Sequence, residues 1–297
     1  MASLRKRFTP PCNGTFWKEI PPNMTHKLLL TILCTCCVIG FSQAQRDSLP
    51  QLTLSLGPAH LTRQDLIFSP FVHKDLAPLT VGLKYEKNKK VHQFVRLDYA
   101  GFSPGLETPY DYQFDGETET AYPHSFTFVG LDYGQGYWIC DTDKKQSLLG
   151  GSINMDVQAM NYNYGRFSFF GYYANIGLGV WYKHIFQLAD RHRLTAQIEL
   201  PLFSWYARSP YLINDDDFIE NIYSHNGFTT FFAYLGDGEL VTWNKLQTVN
   251  AGLDYQYALS DKWTIGASWQ FAFIHASEPL ALTSVQNNLG VMVGLRL

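Results

Sequence analysis

The stretch RFSFFGYYANIGLGVWYKH, Arg166 to His184, decides how the rest of the chain is read. Every second residue from Phe170 is apolar: Phe170, Tyr172, Ala174, Ile176, Leu178, Val180 and Tyr182. The alternate row, Gly171, Tyr173, Asn175, Gly177, Gly179, Trp181 and Lys183, mixes small, polar and large side chains. A period of two is that of an extended strand, whose side chains point alternately to opposite faces. The apolar row is long and bracketed by aromatic rings, which favour membrane–water boundaries. A tilted strand crosses a bilayer in about 9–11 residues. The stretch therefore reads as a transmembrane β-strand.

Working outward, the same alternation recurs. Leu52, Leu54 and Leu56 form a short first strand, and Leu79 to Tyr85 and Val91 to Tyr99 flank the polar turn Lys87-Asn88-Lys89-Lys90. Further rows run from Thr127 to Tyr133, Leu149 to Ala159, Leu194 to Leu202, Val249 to Tyr257, Trp263 to Phe273 and Leu289 to Leu297. Pro58 to Pro78, Gly101 to Pro123 and Arg208 to Glu239 read as irregular loops, and no useful helical period follows residue 45. The expected architecture is all-β, a closed antiparallel transmembrane barrel of about ten strands (8–12 by the pattern). Closure follows because hydrocarbon offers an open sheet edge no hydrogen-bond partner. A secreted β-sandwich would share the alternation, but not inner rows rich in glycine opposite outer rows capped by Tyr and Trp. Tight turns alternate with longer loops, which puts Ala189 to His192 in the periplasm and Arg208 to Glu239 outside.

Composition agrees. The 297 residues are 16% charged and 15% aromatic, with a formal net charge of −3. That balance suggests no nucleic-acid partner. Mean hydropathy is slightly negative, which excludes a bundle of membrane helices. Leu28 to Phe41, after Lys27 and before Ser42-Gln43-Ala44, has the form of a secretory signal, with cleavage expected between Ala44 and Gln45. An inner-membrane anchor is the alternative. Residues 1–23 read as an upstream extension, 24–44 as the signal and 45–297 as the barrel. Of five cysteines only Cys140 would remain, so no internal disulfide is expected.

A signal ending Ser42-Gln43-Ala44-Gln45 and a last strand Val291-Met292-Val293-Gly294-Leu295-Arg296-Leu297 resemble the small outer-membrane barrels of the Bacteroidota. Many of those end in an aromatic residue; this chain ends in Leu297. The resemblance implies location in the outer membrane and fold, not activity. The partners that go with that setting are outer-membrane lipid, lipopolysaccharide and the barrel-assembly machinery, with oligomeric state open.

The inward rows supply an expected polar cluster: Lys84, Glu86, Arg96, Asp98, Asp132, Asp156, Lys183, Glu199, Asp254 and Arg296. Such groups either line a permeation path, where they tune selectivity, or pair into a plug, since side chains nearly fill a barrel of this size. The plug is the preferred reading, because buried charges must find partners. Asp215-Asp216-Asp217 reads as a solvated acidic loop rather than a calcium site, since three successive residues cannot converge on one ion. Ser224-His225 faintly resembles the active-site region of outer-membrane phospholipases, but adjacent residues of a strand point apart. No catalytic, metal or cofactor site is assigned. The expected function is a non-enzymatic outer-membrane barrel, structural or binding or passing small solutes. A lipid-acting barrel enzyme (a lipid hydrolase centred on His225) or a narrow channel is the alternative.

Overall fold

A computed structural model describes residues 48–105, 110–142, 144–165, 167–209, 213–214 and 227–297. The signal reading with its Ala44–Gln45 boundary, the Asp215-Asp216-Asp217 run and Ser224-His225 lie outside the described residues. The strands in chain order are β1 (Ser48–Asp65), β2 (Val72–Asn88), β3 (His92–Phe102), β4 (Tyr110–Phe114), β5 (Glu117–Ala121), β6 (Ser125–Asp141) and β7 (Lys145–Tyr164). They continue with β8 (Phe167–Ala189), β9 (His192–Arg208), β10 (Ile213–Asn214), β11 (Glu239–Thr242), β12 (Leu246–Ala258), β13 (Trp263–Ala276) and β14 (Leu282–Arg296).

Ten of these close into an antiparallel barrel in the order β1, β2, β3, β6, β7, β8, β9, β12, β13, β14. The seam is the pairing of β1 with β14, from Gln51 opposite Arg296 to Asp65 opposite Leu282. Closure leaves no long edge for another chain to pair with. Both ends of the described barrel chain, and the short connections β2–β3, β6–β7, β8–β9 and β12–β13, lie at one rim. The longer connections gather at the other. There β4 and β5 make a hairpin off the wall, and Gly165, at a φ of 62°, makes a tight exception between β7 and β8.

The outer surface carries the alternation. Leu54, Leu83, Leu131, Ile153, Leu178 and Leu253 are exposed on it, although apolar. Tyr85, Tyr133, Tyr137, Tyr182, Tyr255 and Trp263 lie toward the tight-turn rim, and Tyr99 and Trp205 toward the other. An apolar band between aromatic girdles is the surface of a barrel that lipid surrounds.

Four sequence expectations require correction. Pro58 to Pro78 is not a loop: β1 and β2 run through it, joined only by residues 66–71. The register slips between Gly57, opposite Thr80, and Ala59, opposite Ala77, so Pro58 and Pro78 sit together at a bulge where no ladder hydrogen bond is asked of them. Gly101 to Pro123 holds the β4–β5 hairpin, turned by Asp115 and Gly116 at φ of 51° and 83°, the twist that suits a two-residue hairpin loop. Arg208 to Glu239 contains the short β10 and a helix, α1 (Gly227–Gly236), and β11 begins at its last residue. Finally, the outer row of β8 meets lipid only in part. Tyr172 and Ala174 are buried, because Tyr234 of α1 stacks on Tyr172 with ring centroids 4.1 Å apart.

Candidate functional site: the charged lumen

Because side chains alternate, the inner face of each strand is fixed once its outer face is. Asn154, Gln158, Asn175, Lys183 and Glu199 are all buried inside the barrel. The lumen is spanned at three levels by bonds between strands that stand four places apart around the ring of ten, close to diametrically opposite.

Nearest the tight-turn rim, Lys183 on β8 reaches across to Glu86 on β2. Its ammonium also lies 3.2 Å from His92 Nε2, while His92 Nδ1 bonds Asn88 Oδ1. Lys84 lies 3.2 Å from Glu86 and 4.0 Å from Asp254, the latter contact again crossing the lumen. Phe94, Leu148, Trp181 and Ile185 pack into an apolar layer at this level, and Trp181 Nε1 donates to the Gly151 carbonyl at 2.9 Å.

At mid-height, Arg96 on β3 binds Asp132 and holds Asp98 Oδ2 at 2.9 Å. Its remaining Nη1 reaches Gln270 on β13 at 3.4 Å. Asn154 Nδ2 donates to Asp132 Oδ1 at 2.8 Å and to Glu199 Oε1 at 2.9 Å. Asp156 accepts from Gln158 Nε2 at 2.9 Å. Arg296 stands apart from all of these, at the rim, donating to the Asp261 carbonyl at 3.3 Å. Nine of the ten expected inward residues therefore fall into the two lower levels, and one lies at the end of the barrel.

The third level, toward the long-loop rim, is absent from the sequence reading. Asp65 is fully buried between two arginines, Arg63 at 3.1 Å and Arg208. Arg63 Nη1 crosses to Gln158 Oε1 on β7 at 2.7 Å, and Arg208 crosses from β9 and caps the Leu280 carbonyl at 2.6 Å. Around this triad pack Phe102, Phe126, Phe128, Met160, Tyr162 and Tyr173. His73 and His124 close the same layer, their rings 4.8 Å apart. His124 Nδ1 accepts the Asn163 N–H at 2.9 Å. Burial, and then the neighbouring His73, push the His124 imidazole down to about 4. The signal for the triad was present: Arg63 and Asp65 stand two apart, as neighbours on one face of a strand do. Reading Pro58 to Pro78 as loop hid it.

Between the upper two levels lies a cavity of about 150 Å³. Its polar lining includes Arg96, Asp98, Asp156, Asn175, Gln270 and Asn288.

A closed barrel with a charged lumen and aromatic girdles is the architecture of outer-membrane β-barrel proteins, and solved structures agree. The chain is similar to the outer membrane protease OmpT from Escherichia coli, with a TM-score of 0.57 over 86% of this chain and 99% of that one, at 5% identity. Looser overlays reach the translocator domain of the autotransporter NalP from Neisseria meningitidis (TM-score 0.39, 11% identity, 93% and 97% covered) and the Pseudomonas putida toluene transporter TodX (TM-score 0.30, 8% identity, 83% and 89% covered). At such identities the likeness to OmpT is one of fold. No family model matches the chain, and no curated protein matches it by sequence.

Proposed function

We propose that this protein is a non-enzymatic barrel of the outer membrane, of the small Bacteroidota kind its signal and last strand resemble, which holds small solutes rather than conducting them. The observation that carries this reading is the set of cross-lumen bonds: Lys183 to Glu86 below, Arg96 to Gln270 at mid-height, and Arg63 to Gln158 with Arg208 to Asp65 above. Each fixes a pair of side chains across the path an ion would take, and the central cavity lies between them. Buried ion pairs of this kind are costly to break singly, which favours a standing plug over a gate that opens on thermal motion. OmpT is a protease, but one fold hosts many activities, and function has to be argued from the site. Among the described residues the charged groups of this lumen pair with one another or with the amides of Asn154, Gln158 and Gln256.

Two measurements on protein purified from outer membranes test the proposal. In planar bilayers the wild type is expected to give no steady unitary current; a stable open level would favour the narrow-channel reading. Incubation with phospholipid, lipid A and unstructured peptide is expected to leave all three intact. Turnover that a His225→Ala variant lost would establish the lipid-acting alternative.

A further inference from the structure

The barrel wall is broken on one side at mid-height. Toward the tight-turn rim β9 pairs with β12, as far as Glu199 opposite Asn250. Toward the long-loop rim it pairs with β11, from Phe203 opposite Thr242. Between the two, Leu200, Pro201 and Leu202 have no ladder partner on that side among the described residues, and the chain that faces them, 243–249, is too long to lie flat against them. Its second half, Leu246 to Val249, follows β13 instead, opposite Ala276 to Phe273. The break lies at membrane depth. On its other side β9 sets Pro201 opposite Gly179 and Phe203 opposite Leu178, the centre of β8.

At that depth, backbone outside a ladder is tolerated only where it is buried in protein or lines a cavity. Here it lines one: Pro201, Thr248 and Asn250 all border the 150 Å³ cavity. Proline suits the break, since it has no N–H to leave unpaired. Trp243 stands in the opening, in a turn closed by the Lys245 N–H on the Thr242 carbonyl at 3.1 Å. Its indole Nε1 donates to the Pro201 carbonyl, and its ring stays exposed. Along the barrel axis the cavity is shut. Arg63 to Gln158 and Arg208 to Asp65 cross above it, and Arg96 to Gln270 forms its floor. Buried charged pairs resist being broken singly. The side chain of Trp243 is held, among the described residues, by one neutral hydrogen bond, which is the weaker closure.

We propose that small neutral amphiphiles enter this cavity sideways from the hydrocarbon, through the break between β9 and β12, with the Trp243 indole as the door. The lining matches such an occupant. Beside the break it is uncharged: Thr248 and Asn250 on β12, Ala272 and Ile274 on β13, Ser284 on β14. The charged residues Arg96, Asp98, Asp132 and Asp156 stand on the strands across the lumen, β3, β6 and β7. A short-chain alcohol satisfies both halves, its hydroxyl on Thr248 or Asn250 and its alkyl part against Ala272 and Ile274. A cavity of about 150 Å³ is known to take a six-carbon ring, so a lipid acyl chain is too large. An ion is excluded by the route, because hydrocarbon gives its charge no partner. The inference rests on the small-solute reading above and deepens it by naming solute class and entrance.

The test uses fluorobutanol with the protein purified from membranes and returned to phospholipid nanodiscs, read by fluorine exchange NMR against empty nanodiscs. Fluorobutyrate, of similar size but charged, is the comparison. The wild type is expected to bind the alcohol and not the carboxylate. Ala272→Leu and Thr248→Leu, which fill the cavity, are each expected to weaken binding at least tenfold. Trp243→Ala is expected to speed exchange at least tenfold with affinity changed less than threefold, and Trp243→Phe, which keeps a ring but loses the hydrogen bond, to fall between. Heat-modifiable migration on gels reports whether each variant has folded. Should one filling variant not fold, the other decides, and Trp243→Phe stands in for Trp243→Ala on the same terms. Binding untouched by a folded filling variant would overturn the proposal, as would exchange as slow in the folded Trp243 variants as in the wild type. Preference for fluorobutyrate would leave the small-solute reading standing and overturn this one, and so would a silent, inert barrel that ignored both probes. Failure of the reading itself has a separate sign, a unitary current or lipid turnover.

Discussion

Asp65 is a carboxylate without solvent, held by two guanidiniums, and its environment sets the sign of two mutational effects. Removing it alone, as Asp65→Ala, strands Arg63 and Arg208 as buried unpaired cations and is expected to cost about 3–5 kcal/mol. Replacing all three residues together, as Arg63→Met, Asp65→Leu and Arg208→Met, removes charge and desolvation at once and is expected to cost less than the single change. Urea unfolding in lipid vesicles measures both; a triple variant weaker than Asp65→Ala would show that the triad is net stabilising. Nearby, His124 gives the layer a pH dependence. Folded His124 takes a proton only near pH 4, whereas an unfolded histidine does so near 6.5. Between those values the unfolded chain binds more protons, so stability is full above about pH 6.5 and falls as pH drops toward 4. His124→Asn, whose side-chain oxygen can still accept the Asn163 N–H, is expected to flatten that slope in unfolding series at pH 7.5, 5.5 and 4.5.

At the scale of elements, β8 tests the faces that its alternation implies. Leu178, at the centre of the 23-residue strand, is 55% exposed on the outer surface. Leu178→Arg would set a charge in hydrocarbon, at about 2–4 kcal/mol near the bilayer midplane. Tyr182→Arg, nearer the rim, should cost less because the side chain can reach water. Equal effects in vesicle refolding would place the hydrocarbon elsewhere along the strand. Toward the other end, Tyr234→Ala should uncover Tyr172 and make α1 sensitive to added protease while the barrel stays folded. What the sequence revealed follows the same division. Strict alternation with long rows made β6, β7, β8, β12 and β13 legible, because only one register keeps apolar residues outside. It failed at Pro58 and Pro78, where two prolines share a bulge instead of ending a strand, and at Asp115-Gly116, a hairpin signal submerged in an acidic stretch. Helix α1, GFTTFFAYLG, is apolar without a clear polar face, so it offers no period to read; it forms against the wall that Tyr172 and Ala174 supply.

For the whole molecule, the inward phase of a residue is a local property, but its partner across the lumen is not. Lys183 and Glu86 are 97 residues apart, and Arg208 and Asp65 are 143 apart. Only closure of the ring, with β1 laid against β14, decides that they meet, which is why the polar rows were legible and their pairing was not. Closure also fixes which connections share a rim, and so makes orientation testable with one thiol at each end. Cys140 is exposed near the end of β6, at the rim assigned to the periplasm. The tip of the β4–β5 hairpin at Asp115 lies at the opposite rim. On intact cells a bulky polyethylene-glycol maleimide is expected to modify an Asp115→Cys variant once and to leave wild-type Cys140 untouched. Once the outer membrane is opened, Cys140 should react, and a single adduct would also show that Cys12, Cys34, Cys36 and Cys37 had left with the signal. Modification of Cys140 on intact cells would invert the barrel: the tight turns would face outward, and the long-loop rim with Asp65 and its two arginines would close the lumen from within.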